Sequence, residues 1–110
     1  MLAILQQDIL LDAAARIANW PFERLEQLAH EQWVEEKGSP GDTASGHYCQ
    51  IEAELLDRFT EDGVEVLHIP VTVGDGYQQF GTDLFIYRSG RVRWDRKIVE
   101  FINGLPRPVK

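Results

Sequence analysis

The side chains best able to do chemistry in this chain fall mostly between residues 47 and 83. His47 and Cys49 stand two apart, a spacing that puts both on one face of a strand, as two zinc ligands would require. A structural zinc site needs four ligands, and no CxxC, HxxxH or HExxH pattern supplies the others. Cys49 is therefore expected as a small buried hydrophobe with His47 at its rim, and no metal or cofactor is expected. Glu52 and Glu54 repeat that spacing, about 7 Å apart along a strand. Two such carboxylates could cleave a glycosidic bond inside a cleft, but an open strand face predicts a solvated pair instead. His68 is expected on the outer face of a strand, near Leu56 and Glu54, where a carboxylate neighbour would equip it as a general base. A surface histidine is the simpler expectation. An enzyme would need His68, Glu52 or Asp83 to converge in a deep pocket. The glycines of 38–46 and Gly74-Asp75-Gly76 lack the strand and helix context of phosphate-binding loops, so they read as turns. With no nucleophile–base pair, metal set or cofactor loop, a non-enzymatic role is expected.

The most unusual local feature is Arg88, Arg91, Arg93, Arg96 and Lys97 grouped around Trp94. Arginines beside aromatics can bind phosphate or single-stranded nucleic acid. Two alternatives compete: neutralising the protein's own acidic half, or discouraging pairing at a sheet edge. Net charge favours these alternatives over nucleic acid. The whole chain carries −7 at pH 7. Residues 1–65 hold 14 acids against 4 bases, and residues 66–110 hold 4 against 7. An acidic chain repels nucleic acid and anionic membranes, so neither is an expected partner. A basic protein surface is.

These residues need elements to position them. At 110 residues, with 44% hydrophobic and 26% charged side chains, the chain fits one soluble domain spanning 1–110. Cys49 has no disulfide partner, no secretory signal opens the chain and no apolar run is long enough to span a bilayer; a reducing, cytoplasmic location is expected. Cys49, Ile51, Ala53 and Leu55 alternate with polar residues, as do Leu67, Ile69, Val71 and Val73, which predicts two half-buried strands. Asp62-Gly63 lies between them, a strong hairpin signal. A two-residue loop there would put Glu52 and Glu54 on the face of Ile69 and Val71. Pairing Ile51 with Val73, Ala53 with Val71 and Leu55 with Ile69 needs an odd-numbered loop or a bulge, with Gly63 left-handed. Pro70 has no N–H for the ladder, so either the strand kinks there or one flank is unpaired.

Residues 2–18 predict a helix, and Phe22, Leu25, Ala29 and Trp33 the stripe of a second that stops at Lys37-Gly38. Asp83–Arg88 and Arg91–Trp94 predict two more strands joined by Ser89-Gly90, pairing Tyr87 with Val92 and Phe85 with Trp94 toward the core. Leu84 and Ile86 would then point outward. Asp95 caps a last helix carrying Ile98, Val99 and Ile102 inward, ended by Gly104. The expected fold is α+β: two N-terminal helices on a four-stranded antiparallel sheet, with a short C-terminal helix, in two layers.

The stretches Ser39-Pro40-Gly41, Ser45-Gly46-His47-Tyr48, Ile51–Leu55, Gly74-Asp75-Gly76, Thr82–Ile86 and Gly90-Arg91-Val92 together resemble a family of small, uncharacterised bacterial proteins. The resemblance covers about residues 39–92 and implies no activity. Two functions from different classes remain. One is a regulatory or immunity-like protein-binding module whose acidic field orients a basic partner. The other is a small-molecule-binding or hydrolytic domain using a concave sheet face. The interaction surface expected for either comprises Glu52, Glu54, His68, Ile86, Arg88, Arg91 and Arg93. An outward strip of Leu84, Ile86 and Val66, flanked by Glu52 and Glu54 on one side and Arg91 and Arg93 on the other, would also be self-complementary about a two-fold axis. Either a homodimer or the C-terminal helix folding back is expected to cover it.

Overall fold

The computed structural model describes residues 2–37, 49–75, 78–102 and 105–108. Its centre is a single antiparallel sheet of eight strands: β1 (Trp33–Lys37), β2 (Cys49–Ala53), β3 (Asp57–Glu61), β4 (Val64–Gly74), β5 (Gln78–Tyr87), β6 (Val92–Arg93), β7 (Val99–Ile102) and β8 (Leu105–Pro108). The order runs β1-β2-β4-β5-β7-β8, with β3 beside β4 and β6 beside β5. Two helices, α1 (Leu2–Ala18) and α2 (Phe22–Glu26), precede it, the second ending in a 3₁₀ turn at Gln27–Ala29. This corrects the expected four-stranded α+β layout.

The register of β4 decides which residues lie inside. Ile51 stands opposite Val73 and Ala53 opposite Val71, as the alternation predicted. The loop, however, has two residues: Asp62 and Gly63 both have positive φ, 51° and 79°, and Glu61 pairs with Val64. The extra residue sits farther back. Leu56 donates its N–H to the His68 carbonyl (3.0 Å), while Asp57 is the registered partner of the same His68. Two residues facing one make a bulge, and it shifts the register by one between β3 and β2. Pro70 lies opposite this break. Its carbonyl accepts from the Glu54 N–H at 3.4 Å, and the return bond of that pair is the one a proline cannot donate.

The same register turns β5 over relative to expectation. Ile69 faces Leu84 and Leu67 faces Ile86, so Leu84 (0% exposed) and Ile86 (4%) belong to the core. The β5–β6 loop has three residues, Arg88–Gly90, not the two expected. Tyr87 N–H bonds the Arg91 carbonyl, Gly90 N–H bonds the Tyr87 carbonyl, and Gly90 has φ 99°. Ile86 therefore pairs with Val92 and Phe85 with Arg93, one residue from the expected register. A one-residue slip sends every side chain to the other face.

Leu10, Ala13, Ala14 and Ile17 of α1 pack on that inner face with Leu25 and Leu28. The second half of the expected second helix and the expected C-terminal helix hold strands instead. Trp33 leaves the stripe of α2 to pair with Ala53 at the sheet edge. Ile98, Val99, Phe101 and Ile102 are β-branched or aromatic, types that fit a pleated surface. Ile102 pairs with Leu105, and Asn103-Gly104 between them has the composition of a hairpin turn. The expected helix end at Gly104 and the expected rim position of His47 lie outside the described residues.

Candidate functional site

On the outer face, which no described helix covers, alternation brings Phe59, Val66, His68, Phe85 and Tyr87 together across β3, β4 and β5. Val66 and Tyr87 are buried there, apart from the main core. Phe85 is the hub. The His68 ring stacks on it (centroids 4.4 Å apart, 14° between planes), the Arg93 guanidinium lies 4.4 Å from its centroid, and Phe59 meets it edge-on at 6.5 Å. Arg91 lies over Tyr87 at 4.8 Å. Such contacts use the negative face of the ring to hold a cation.

His68 does acquire a carboxylate neighbour, but from β5. Its Nε2 lies 2.7 Å from Asp83 Oδ1, whereas Glu54 faces Pro70. Glu52 stands opposite Thr72, about 13 Å along the strand from His68, so Glu52 does not join the pair. Tyr87 donates its hydroxyl to Glu61, and that bond, ahead of burial, raises the phenol above its ordinary range. Beside the His68–Asp83 pair lies an open concavity of about 360 Å³ lined by Asp83, Phe85, Arg93, Asp95, Lys97 and Val99. The helix Asp95 was expected to cap is absent; its Oδ1 accepts the Lys97 N–H (2.9 Å) and shapes a loop. Phe59 was missed because β3 carries no clean alternation. The Asp83 position was recoverable once β4 and β5 were set in register.

Arg88, expected on this surface, lies on the other face. With Arg58 it holds Glu65 and Glu26, at 2.6 Å from Glu65 and 3.3 Å from Glu26 for Arg88, and it lies 4.3 Å over the Phe22 ring. The four charges tie α2 to the end of the sheet. The two arginines draw the Glu65 carboxyl below its ordinary range and are themselves raised. Ile86 is buried and offers no surface. The outward apolar strip that motivated a homodimer does not exist: Leu84 and Ile86 face the helices, and Val66 is covered on its own face.

The outer face is net acidic. Alternation places Glu52, Glu54, Asp57, Glu61 and Asp83 on it, against Arg93, Arg91 over Tyr87 and the concavity's Lys97. Glu52, Glu54 and Asp57 have no ion pair among the described residues. Cys49 is buried, which raises its thiol pKa, and among the described residues no three His, Cys, Asp or Glu gather as metal ligands. Among the described residues no helix is long and apolar enough to cross a membrane. Comparison with protein-family models, curated proteins and solved structures gave no match.

Proposed function

We propose that this chain is a regulatory or immunity-like binding module of a reducing, cytoplasmic compartment, docking a basic protein surface on the outer face of its sheet. One observation carries this reading. Glu52, Glu54, Asp57 and Glu61, four of the acids of residues 1–65, share a face with no described helix over it, around a hub of aromatic and arginine side chains. Aromatics and Arg are the residue types that dominate interface energetics, and a net acidic rim steers a basic partner. Three acids of the helix side are paired: Glu26 and Glu65 bind Arg58 and Arg88, and Glu35 binds Arg16 at 3.1 Å. Affinity purification of the tagged protein from its native host tests the reading. A basic protein retained at low salt and released as salt rises supports it; recovery of only acidic proteins or nucleic acid contradicts it.

A second reading is favoured by the His68–Asp83 bond beside the concavity: a site for a small ligand, with His68 available as a base toward it. Large thermal stabilisation by one metabolite class, lost in His68→Ala, would support this over protein docking.

A further inference from the structure

One flank of β5 is interrupted. β7 pairs with it from Gln78 to Gly81 and β6 at Phe85 and Ile86, so Thr82–Leu84 has no strand partner there among the described residues. Alternation settles which backbone groups face the interruption. Glu54 and Leu56 donate to the carbonyls of Pro70 and His68, so the even-numbered residues of β4 direct their backbone groups toward β2 and β3. The odd-numbered ones face β5, where Ile69 and Val71 meet Leu84 and Thr82. Asp83 therefore turns its N–H and C=O the other way, into the interruption. Tyr87 has the same parity, and its N–H bonds the Arg91 carbonyl on that side.

The interruption is held open by the chain that bridges it. Between β6 and β7, residues 94–98 bow away from β5, with Arg96 at φ 61°, a conformation unfavourable for a residue with a Cβ. Trp94 Nε1 donates to Thr82 Oγ1 (2.9 Å), which donates to the Lys97 carbonyl (2.7 Å), fixing the bow from the core side. The concavity of about 360 Å³ occupies the outer side, a size suited to a small ligand. A peptide strand cannot run through it, because β6 and β7 close both ends of a gap only about 10 Å long.

We propose that the interruption is a binding site for a small planar amide or lactam carrying a carboxylate. The ligand pairs its C=O and N–H with the Asp83 N–H and C=O and sets its carboxylate against Arg93 and Lys97. The charge follows from what is already engaged. The Asp83 carboxylate holds His68, and Asp95 holds the Lys97 N–H. Arg93 has its nearest carboxylate, Glu61, at 3.9 Å, and Lys97 has no ion pair among the described residues. The inference rests on the small-ligand reading of this concavity, not on protein docking.

Titration of the full chain, followed by amide proton–nitrogen NMR, tests it with orotate and pyroglutamate, which combine a lactam edge with a carboxylate, and with succinate, which has no amide. The expected result is a saturable downfield shift of the Asp83 amide with either lactam, little shift with succinate, and about fivefold weaker binding in Lys97→Gln. An equal Asp83 shift with succinate overturns the proposal. So do lactam-induced shifts at Phe85 and Val99 that leave Asp83 in place, although they would keep the small-ligand reading alive. No response at any of these amides, together with a silent thermal-shift screen of metabolites, overturns both.

Discussion

Glu65 accepts hydrogen bonds from two arginines, and that arrangement fixes how the fold responds to acid. Its folded pKa lies below the ordinary 4.5, so the stability it adds is present above about pH 4.5 and is lost as pH falls through the lower folded value. The expected outcome is a melting temperature that drops in this acid range for the wild type and drops less for Glu65→Gln, measured by circular dichroism from pH 7 to pH 3. An equal drop in both would place the acid sensitivity elsewhere. Gly63 makes a separate point at the same scale. It has φ 79° with open space where a Cβ would stand, so Gly63→Ala meets backbone strain and no clash. That substitution is expected to cost about 1–2 kcal/mol in urea unfolding. A loss near zero would show that the turn relaxes. Gly63's left-handed conformation was legible from Asp62-Gly63, while the Glu65 cluster was not. It depends on Arg58 lying beside Leu67 and on α2 ending above the sheet, both long-range facts.

At the scale of elements, the register of β4 governs which face each neighbouring residue occupies. Periodicity in the sequence was enough for α1 and for the pairing of β2 with β4, because each has one uninterrupted apolar pattern. It failed where two patterns coexist. Leu84, Phe85, Ile86 and Tyr87 are all apolar, so either face of β5 could have been the inner one. Pairing with β4 makes the choice, setting Leu84 opposite Ile69 and Ile86 opposite Leu67. Likewise Trp33 continued a helical stripe and Ile98, Val99 and Ile102 resembled another, although strand pairing claims both segments. A consequence separates the two assignments experimentally. Ile86→Lys, on an outward Ile86, would only weaken a dimer; on the buried Ile86 it puts a charge among Leu67, Leu84 and the helices. The expected result is loss of cooperative folding, or at least several kcal/mol of destabilisation in urea titration. A well-folded Ile86→Lys monomer would contradict the register.

At the scale of the molecule, the sheet divides the protein into a side closed by α1 and α2 and a side left without a described helix. The helix side uses arginines to hold Glu26, Glu35 and Glu65, whereas Glu52, Glu54 and Asp57 face outward without ion pairs among the described residues. The acidic excess was legible in the sequence; which of its acids share the outer face was not, because the bulge at Leu56 and Asp57 sets which side Asp57 takes. Net charge and local charge are separable. Glu52→Lys with Glu54→Lys changes the total by four units on the outer face, and Asp8→Lys with Glu23→Lys changes it equally on exposed positions of the helices. Used beside the wild type as matched baits in the native extract, at one salt concentration, these two double variants test the central claim most directly. Docking on the outer face predicts that the basic partner is retained by the wild type and the helix-side variant and lost from the Glu52/Glu54 variant. Equal loss from both variants, or retention by the Glu52/Glu54 variant, would contradict it.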